Sequence, residues 1–195
     1  MDIKLNPKQI RGNWRAGWTL DEHTVSCSLR PDGKFDTVRT HLGELVYELK
    51  YKFDRSKIEP VAEIAAEYIK GLLVYPYLAA IIPVPPSDTS RPYQPVIEVA
   101  SAVGKITGKP APSDFLFKKK TTSGLKNIDD PKIRREQLKD AFGVKDKRFS
   151  GRYVLLFDDL YRSGETFSEA VNALHEQGGV ERVFVLALTR TRVKK

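Results

Sequence analysis

Apolar residues along this chain fall into dense runs and spaced positions, and each pattern predicts its own element. Val154, Leu155, Leu156 and Phe157 form a continuous apolar run that reads as a short strand buried on both faces. Residues 78–82 and 182–188 read the same way, and 114–118 reads as one further strand. Between the runs the spacing is helical. Leu42, Leu45, Val46, Leu49 and Phe53 share one face, with Lys50 and Lys52 off it. Ile58, Val61, Ile64, Ala65, Tyr68 and Ile69 share another, which Gly71 ends. Val96, Val99, Ala100 and Val103 mark a third helix, opened by residues 91–94, and residues 168–174 mark a fourth that stops at Gly178 and Gly179. Near the start the period drops to two. Residues 24–30 alternate, Pro31, Asp32 and Gly33 supply a turn and 34–40 return, so a β-hairpin is expected. Trp14 and Trp18 flank it and read as anchors on the core, with an aromatic lid over a bound base as the alternative.

Strands alternating with helices predict an α/β fold with a mostly parallel sheet flanked by helices. The hairpin and first helix set residues 1–57 apart as a hood-like accessory element, leaving 58–195 as the α/β core. Such sheets bind ligands at the carboxyl ends of their strands, and two segments stand there. One is Pro83, Val84, Pro85, Pro86 and Ser87: three prolines in four residues cannot continue a central strand, so a rigid loop must begin.

The other is the join at 158–166. Gly164 permits a sharp turn, Ser163 and Thr166 add hydroxyls, and the free N–H groups at the start of the following helix favour an anion. Asp158 and Asp159 repel each other and cost desolvation unless something neutralises them, as sugar hydroxyls and a divalent cation would. A phosphate cradle beside a hydroxyl- or metal-seeking acid pair suits a ribose 5-phosphate. In its order, the run of thirteen residues from Val154 to Thr166 resembles the phosphoribosyl pyrophosphate (PRPP) motif of type I phosphoribosyltransferases. The resemblance implies that Asp158 and Asp159 take the ribose hydroxyls while Arg162, Ser163, Gly164, Glu165 and Thr166 wrap the 5-phosphate.

Two positions depart from that pattern. Arg162 stands where the hypoxanthine and guanine branch has an Asp that handles a purine proton, and an Arg of pKa above about 12 cannot act as that base. Ordinary 6-oxopurine salvage is therefore disfavoured; Arg162 either meets an anionic acceptor or phosphate or is a solvated loop residue. Glu165 puts an anion beside the phosphate site and is expected to point to solvent.

Residues 81–100 are similar to the segment of ComF-family proteins, competence-associated phosphoribosyltransferases, in which a Pro-Val-Pro strand end precedes an Arg-Gly-Phe-Asn-Gln-like helix start. Arg91, Tyr93 and Gln94 match in kind, whereas Pro92 and Pro95 depart. The resemblance implies a pyrophosphate loop of Val84, Pro85, Pro86, Ser87 and Asp88. Residues 134–142 resemble the family's segment after its flexible loop, so Lys119, Lys120 and Arg134 become lid candidates; a solvated charged loop is the plainer reading of the lysines. The family's Cys-rich zinc module has no counterpart, because Cys27 is the only cysteine. The resemblance thus implies a type I phosphoribosyltransferase-like fold with an N-terminal hairpin hood and a Mg²⁺-dependent displacement of pyrophosphate from PRPP by a nitrogen nucleophile. Asp158, Asp159 and Arg134 would carry catalysis, with the two aspartates supporting the metal through PRPP and water. No residue reads as the general base, and the acceptor is unidentified. A homodimer is common in the resembling fold. A PRPP-responsive regulatory module without turnover is the alternative, as is an accessory role in DNA processing.

Composition adds limits. A net charge of +8 from 33 basic and 25 acidic residues points to anionic partners, PRPP or single-stranded DNA, although the basic tail lacks interleaved aromatics. With one cysteine, disulfides within the chain and thiolate metal clusters are excluded. His23, His41 and His175 lack ligand spacing and read as surface or packing residues. No apolar run approaches the roughly eighteen residues of a membrane span, and a cytoplasmic protein is expected.

Overall fold

The structure is a computed structural model that describes residues 4–87, 93–119 and 140–192. Five strands form the central sheet. From one edge, β1 (Lys8–Ile10) pairs antiparallel with β2 (Ala16–Glu22). Next come β9 (Arg182–Arg190), β8 (Tyr153–Tyr161) and β5 (Leu78–Pro83), each parallel to its neighbour. This is the α/β architecture with a mostly parallel sheet flanked by helices.

Period two explains why the central strands are apolar throughout. Val154 and Leu156 of β8, with Val183, Val185 and Ala187 of β9, face one layer, where α4 (Glu165–Glu176) supplies Phe167, Ala170, Val171 and Leu174. Leu155 and Phe157, with Leu186 and Leu188, face the other, built from α1 (His41–Tyr47), α2 (Ile58–Lys70) and α3 (Pro95–Thr107). A two-stranded ribbon, β6 (Leu116–Lys118) with β7 (Phe142–Val144), closes the α4 side with Phe115 and Phe142.

The structure departs from the sequence reading in ways that matter for the site. β8 runs four residues past Phe157, because Asp158, Leu160 and Tyr161 keep register with Ala187, Thr189 and Arg190 of the equally long β9. The acid pair therefore lies on a strand. β2 draws Trp18 into the sheet, stacked on Phe184 at 6.5 Å. Two strands of the central sheet thus come from the stretch assigned to the accessory element, while β3 (Thr24–Leu29) and β4 (Phe35–Arg39) form the expected hairpin outside it. The third helix begins at Pro95, a residue suited to the first helical position, and residues 88–92 lie outside the described residues.

The helix expected over 42–53 is interrupted. Thr40 caps α1 by accepting the Gly43 N–H, but from Glu48 to Lys52 the chain forms a π-helical turn that ends at Phe53 in the left-handed region, φ 57°. The wider turn moves Lys50, which a regular helix would leave off the apolar face, towards the sheet. A hydrogen bond from the Tyr93 hydroxyl to the Leu49 carbonyl holds the turn against the segment before α3.

Candidate functional site

Three segments meet at the carboxyl edge of the parallel strands: the end of β8, the loop leading to α4 and the chain following β5. Asp158 and Asp159 face opposite sides of β8, and Asp158 bends back to accept the Asp159 N–H at 2.8 Å. Asp159, with its side chain 11% exposed, binds the Lys50 ammonium at 2.6 Å. Burial pulls the Lys50 ammonium down, and the charge and hydrogen bond of Asp159 more than offset it, leaving Lys50 above its ordinary value. Burial, reinforced by the neighbouring Asp159, pushes the Asp158 carboxyl up to about 7, although Lys50 and Lys118 oppose that shift. Lys118, at the end of β6, donates to the Ser87 hydroxyl at 2.8 Å and is lowered by burial against the attraction of Asp158. It ties the loop after β5 to β6 and adds positive charge in the field of Asp158.

The turn into α4 is shaped by Gly164, at φ 93°, where a Cβ would lie 3.1 Å from the Tyr161 hydroxyl and 3.4 Å from the Trp14 ring. Trp14 packs edge-on against Phe167 at 5.9 Å, and Asn13 bonds Ser168 and Asn172, so the segment before β2 braces the helix start. Trp14 is thus the core anchor rather than a lid. Arg162 and Ser163 are exposed, and Gly164, Glu165 and Thr166 are half-buried. Glu165 does not simply face solvent: it accepts the Ser163 hydroxyl and, after burial, adds to the upward shift of the Tyr161 phenol. An acid in the first turn suits the positive end of the helix dipole. An incoming phosphate would compete with it for the Ser163 hydroxyl.

On the opposite side stand groups from the N-terminal element. His23 follows β2, and the α1 backbone packs so closely on it that a Cβ at Gly43 would lie 2.1 Å from the His23 carbonyl oxygen. Its ring Nδ1 is 3.2 Å from the Thr189 hydroxyl, which donates to the Asp159 carbonyl at 3.0 Å. Burial and then Arg39 hold the imidazole below its ordinary value; Asp159 and Glu44 act the other way and Lys50 with Arg39. An apolar recess lined by Val46, Leu49, Pro95, Val96 and Leu188 carries Asp159 on its wall.

The structure therefore brings together Asp158, Asp159, Arg162, Ser163, Gly164, Glu165 and Thr166 with Pro85, Pro86 and Ser87. Val84 lies in the core, its N–H bonded to the Phe157 carbonyl, and positions the loop from beneath. Lys119 is exposed, with its backbone N–H on the Ala141 carbonyl. Asp88, Lys120 and Arg134 lie outside the described residues. Sequence reasoning missed Lys50, Lys118 and His23. Only Lys50 carried a signal, a lysine beside an apolar face, and the π turn that redirects it has no pattern in the sequence.

Direct metal coordination does not fit this acid pair, since Asp159 already has a cation at 2.6 Å. Among the described residues no group of three or more His, Cys, Asp or Glu side chains is placed to hold a metal ion. No helix among them is long and apolar enough to cross a membrane.

The fold and its carboxyl edge define an α/β protein with an acid pair beside a glycine turn at a helix start. No family model matches the chain, and no curated protein does. Among solved structures, it is similar to Leishmania donovani UMP synthase, at 18% identity over 83% of this chain and 27% of that one, TM-score 0.43. It is also similar to the glutamine PRPP amidotransferase of B. subtilis complexed with ADP and GMP, at 18% identity over 83% of this chain and 35% of that one, TM-score 0.48. The chain thus spans about a third of the length of these two. The adenine phosphoribosyltransferase of Leishmania donovani is similar at 10% identity, over 95% of this chain and 86% of that one, TM-score 0.43.

Proposed function

We propose that this protein binds PRPP at the carboxyl edge of β8 and transfers its phosphoribosyl group to a nitrogen acceptor, releasing pyrophosphate. The observation that carries the reading is the order of chemistry along one edge. An anion-accepting glycine turn at a helix start, an acid pair and the Ser87 hydroxyl with the Lys118 ammonium follow one another as the phosphate, diol and diphosphate of PRPP would.

Arg162, Ser163, Gly164, Glu165 and Thr166 receive the 5-phosphate, with Gly164 allowing the backbone to close on it. Asp158 and Asp159 receive the ribose hydroxyls, the latter by exchanging Lys50 for them. Pro85, Pro86, Ser87 and Lys118 hold the pyrophosphate, which leaves with the bonding electron pair, and lysine charge there stabilises what develops on it. Lys119, Lys120 and Arg134 are the candidates to close over it. A Mg²⁺ ion bound with the diphosphate would offset its negative charge, and Asp158 would support the ion's waters without direct coordination.

The test is pyrophosphate release from Mg·PRPP across a panel of nucleobases and amines, alongside PRPP affinity. Release with at least one acceptor is expected; the absence of both binding and release would contradict the proposal. The Lys50–Asp159 pair favours a second reading, a PRPP-responsive module in which a ligand must displace a resident cation. Binding without release would favour it.

A further inference from the structure

The phosphoribosyl transfer calls for a group that takes the acceptor's proton, and the hydrogen bonds around His23 bear on which of its nitrogens can serve. With the single proton of the Thr189 hydroxyl given to the Asp159 carbonyl at 3.0 Å, its oxygen accepts from the His23 ring at 3.2 Å. That arrangement assigns the His23 proton to Nδ1 and the lone pair to Nε2. That nitrogen has no hydrogen-bond partner among the described residues and is not a buried orphan. The backbone that carries the ring is fixed from behind, because the His23 main-chain N–H donates to the Arg190 carbonyl and α1 presses on that backbone through Gly43.

We propose that His23 is the catalytic base of the phosphoribosyl transfer, oriented by the relay from Nδ1–H through Thr189 to the Asp159 backbone. The proposal rests on the phosphoribosyltransferase reading. As the acceptor nitrogen bonds to the anomeric carbon, the carbon–oxygen bond to pyrophosphate breaks and its electron pair leaves on the pyrophosphate oxygen. The acceptor's N–H proton passes to Nε2, giving an imidazolium. The charged groups around the ring suit this exchange. Burial, then Arg39 and Lys50, favours the neutral ring beforehand, and Asp159 and Glu44 stabilise the cation once formed. A 6-oxopurine enzyme's acidic base, absent at Arg162, is thereby replaced from the opposite side of the sheet edge.

Long-range ¹H–¹⁵N spectra read the tautomer without any ligand. The wild type at neutral pH should show His23 neutral with the proton on Nδ1, and Thr189→Val should lose that preference; an Nε2–H tautomer or an imidazolium in the wild type overturns the proposal. Adding Mg²⁺ and PRPP should move the His23 signals and leave those of His175, which is tied to the Val180 carbonyl at the far end of α4, in place. Calorimetric binding with His23 unmoved overturns the role of His23 alone. No calorimetric binding with the tautomer intact overturns the phosphoribosyl reading, and the proposal with it. His23→Gln should keep PRPP affinity within about twofold and lower pyrophosphate release by about a hundredfold. Unchanged release would contradict the assignment.

Discussion

At the scale of single residues the site is a balance of buried charges. Lys50 and Asp159 are both mostly shielded from water, and an isolated partner would be left buried and unpaired. Breaking such a pair costs about 3–5 kcal/mol, whereas an apolar pair of similar volume is often neutral. Lys50→Met should therefore lower the melting temperature by on the order of 10 °C, and adding Asp159→Leu should recover much of it. A double-mutant cycle read by thermal melting checks this, and additive losses would show that the pair is not coupled. Asp158 makes the opposite contribution. Its folded pKa of about 7 lies above the ordinary carboxylate value, so the native state holds a proton that the unfolded chain has released. Its stability contribution is complete below about pH 4 and lost as pH rises through about 7. Denaturant unfolding between pH 5 and 8 should show stability falling, and Asp158→Asn should flatten that fall; an unchanged slope would contradict the assigned burial. Asp158 and Asp159 were legible in the sequence because two acids at an apolar strand end demand neutralisation. The lysines near them were not legible, because Lys50, paired with Asp159, and Lys118 come from segments distant in sequence.

At the scale of elements, the same distinction holds. Strands buried on both faces announce themselves as apolar runs, as do helices with one apolar face. β2 does not, because Thr19 and Asp21 are buried beside Leu20 and break both patterns. The turn into α4 was legible from Gly164, and its conformation makes that glycine testable. Gly164→Ala must adopt a left-handed backbone and push on Tyr161, costing about 1–2 kcal/mol. Urea unfolding should register that loss, together with weaker PRPP binding, and a neutral effect on both would mean that the turn is not needed. The β3–β4 hairpin behaves otherwise. Leu29 and Phe35 are 65% and 69% exposed, so it buries little apolar surface in this chain. Replacing residues 26–38 with a short glycine turn should shift the melting temperature by no more than about 2 °C. A large drop would show that the hairpin is part of the core.

At the scale of the whole molecule, a parallel sheet with helices on both faces puts three loops at one edge, and the fold was legible because alternating strand and helix patterns admit few other arrangements. The resulting site places an acid pair between a helix start and a lysine-bearing ribbon, and the proposed binding of PRPP rests on that arrangement. The most direct test is calorimetric titration with PRPP and Mg²⁺ of the wild type and of the double variant Asp158→Asn with Asp159→Asn, each confirmed folded by melting. The account predicts binding by the wild type and a loss of at least tenfold in the variant. Equal affinity in the two proteins would contradict it.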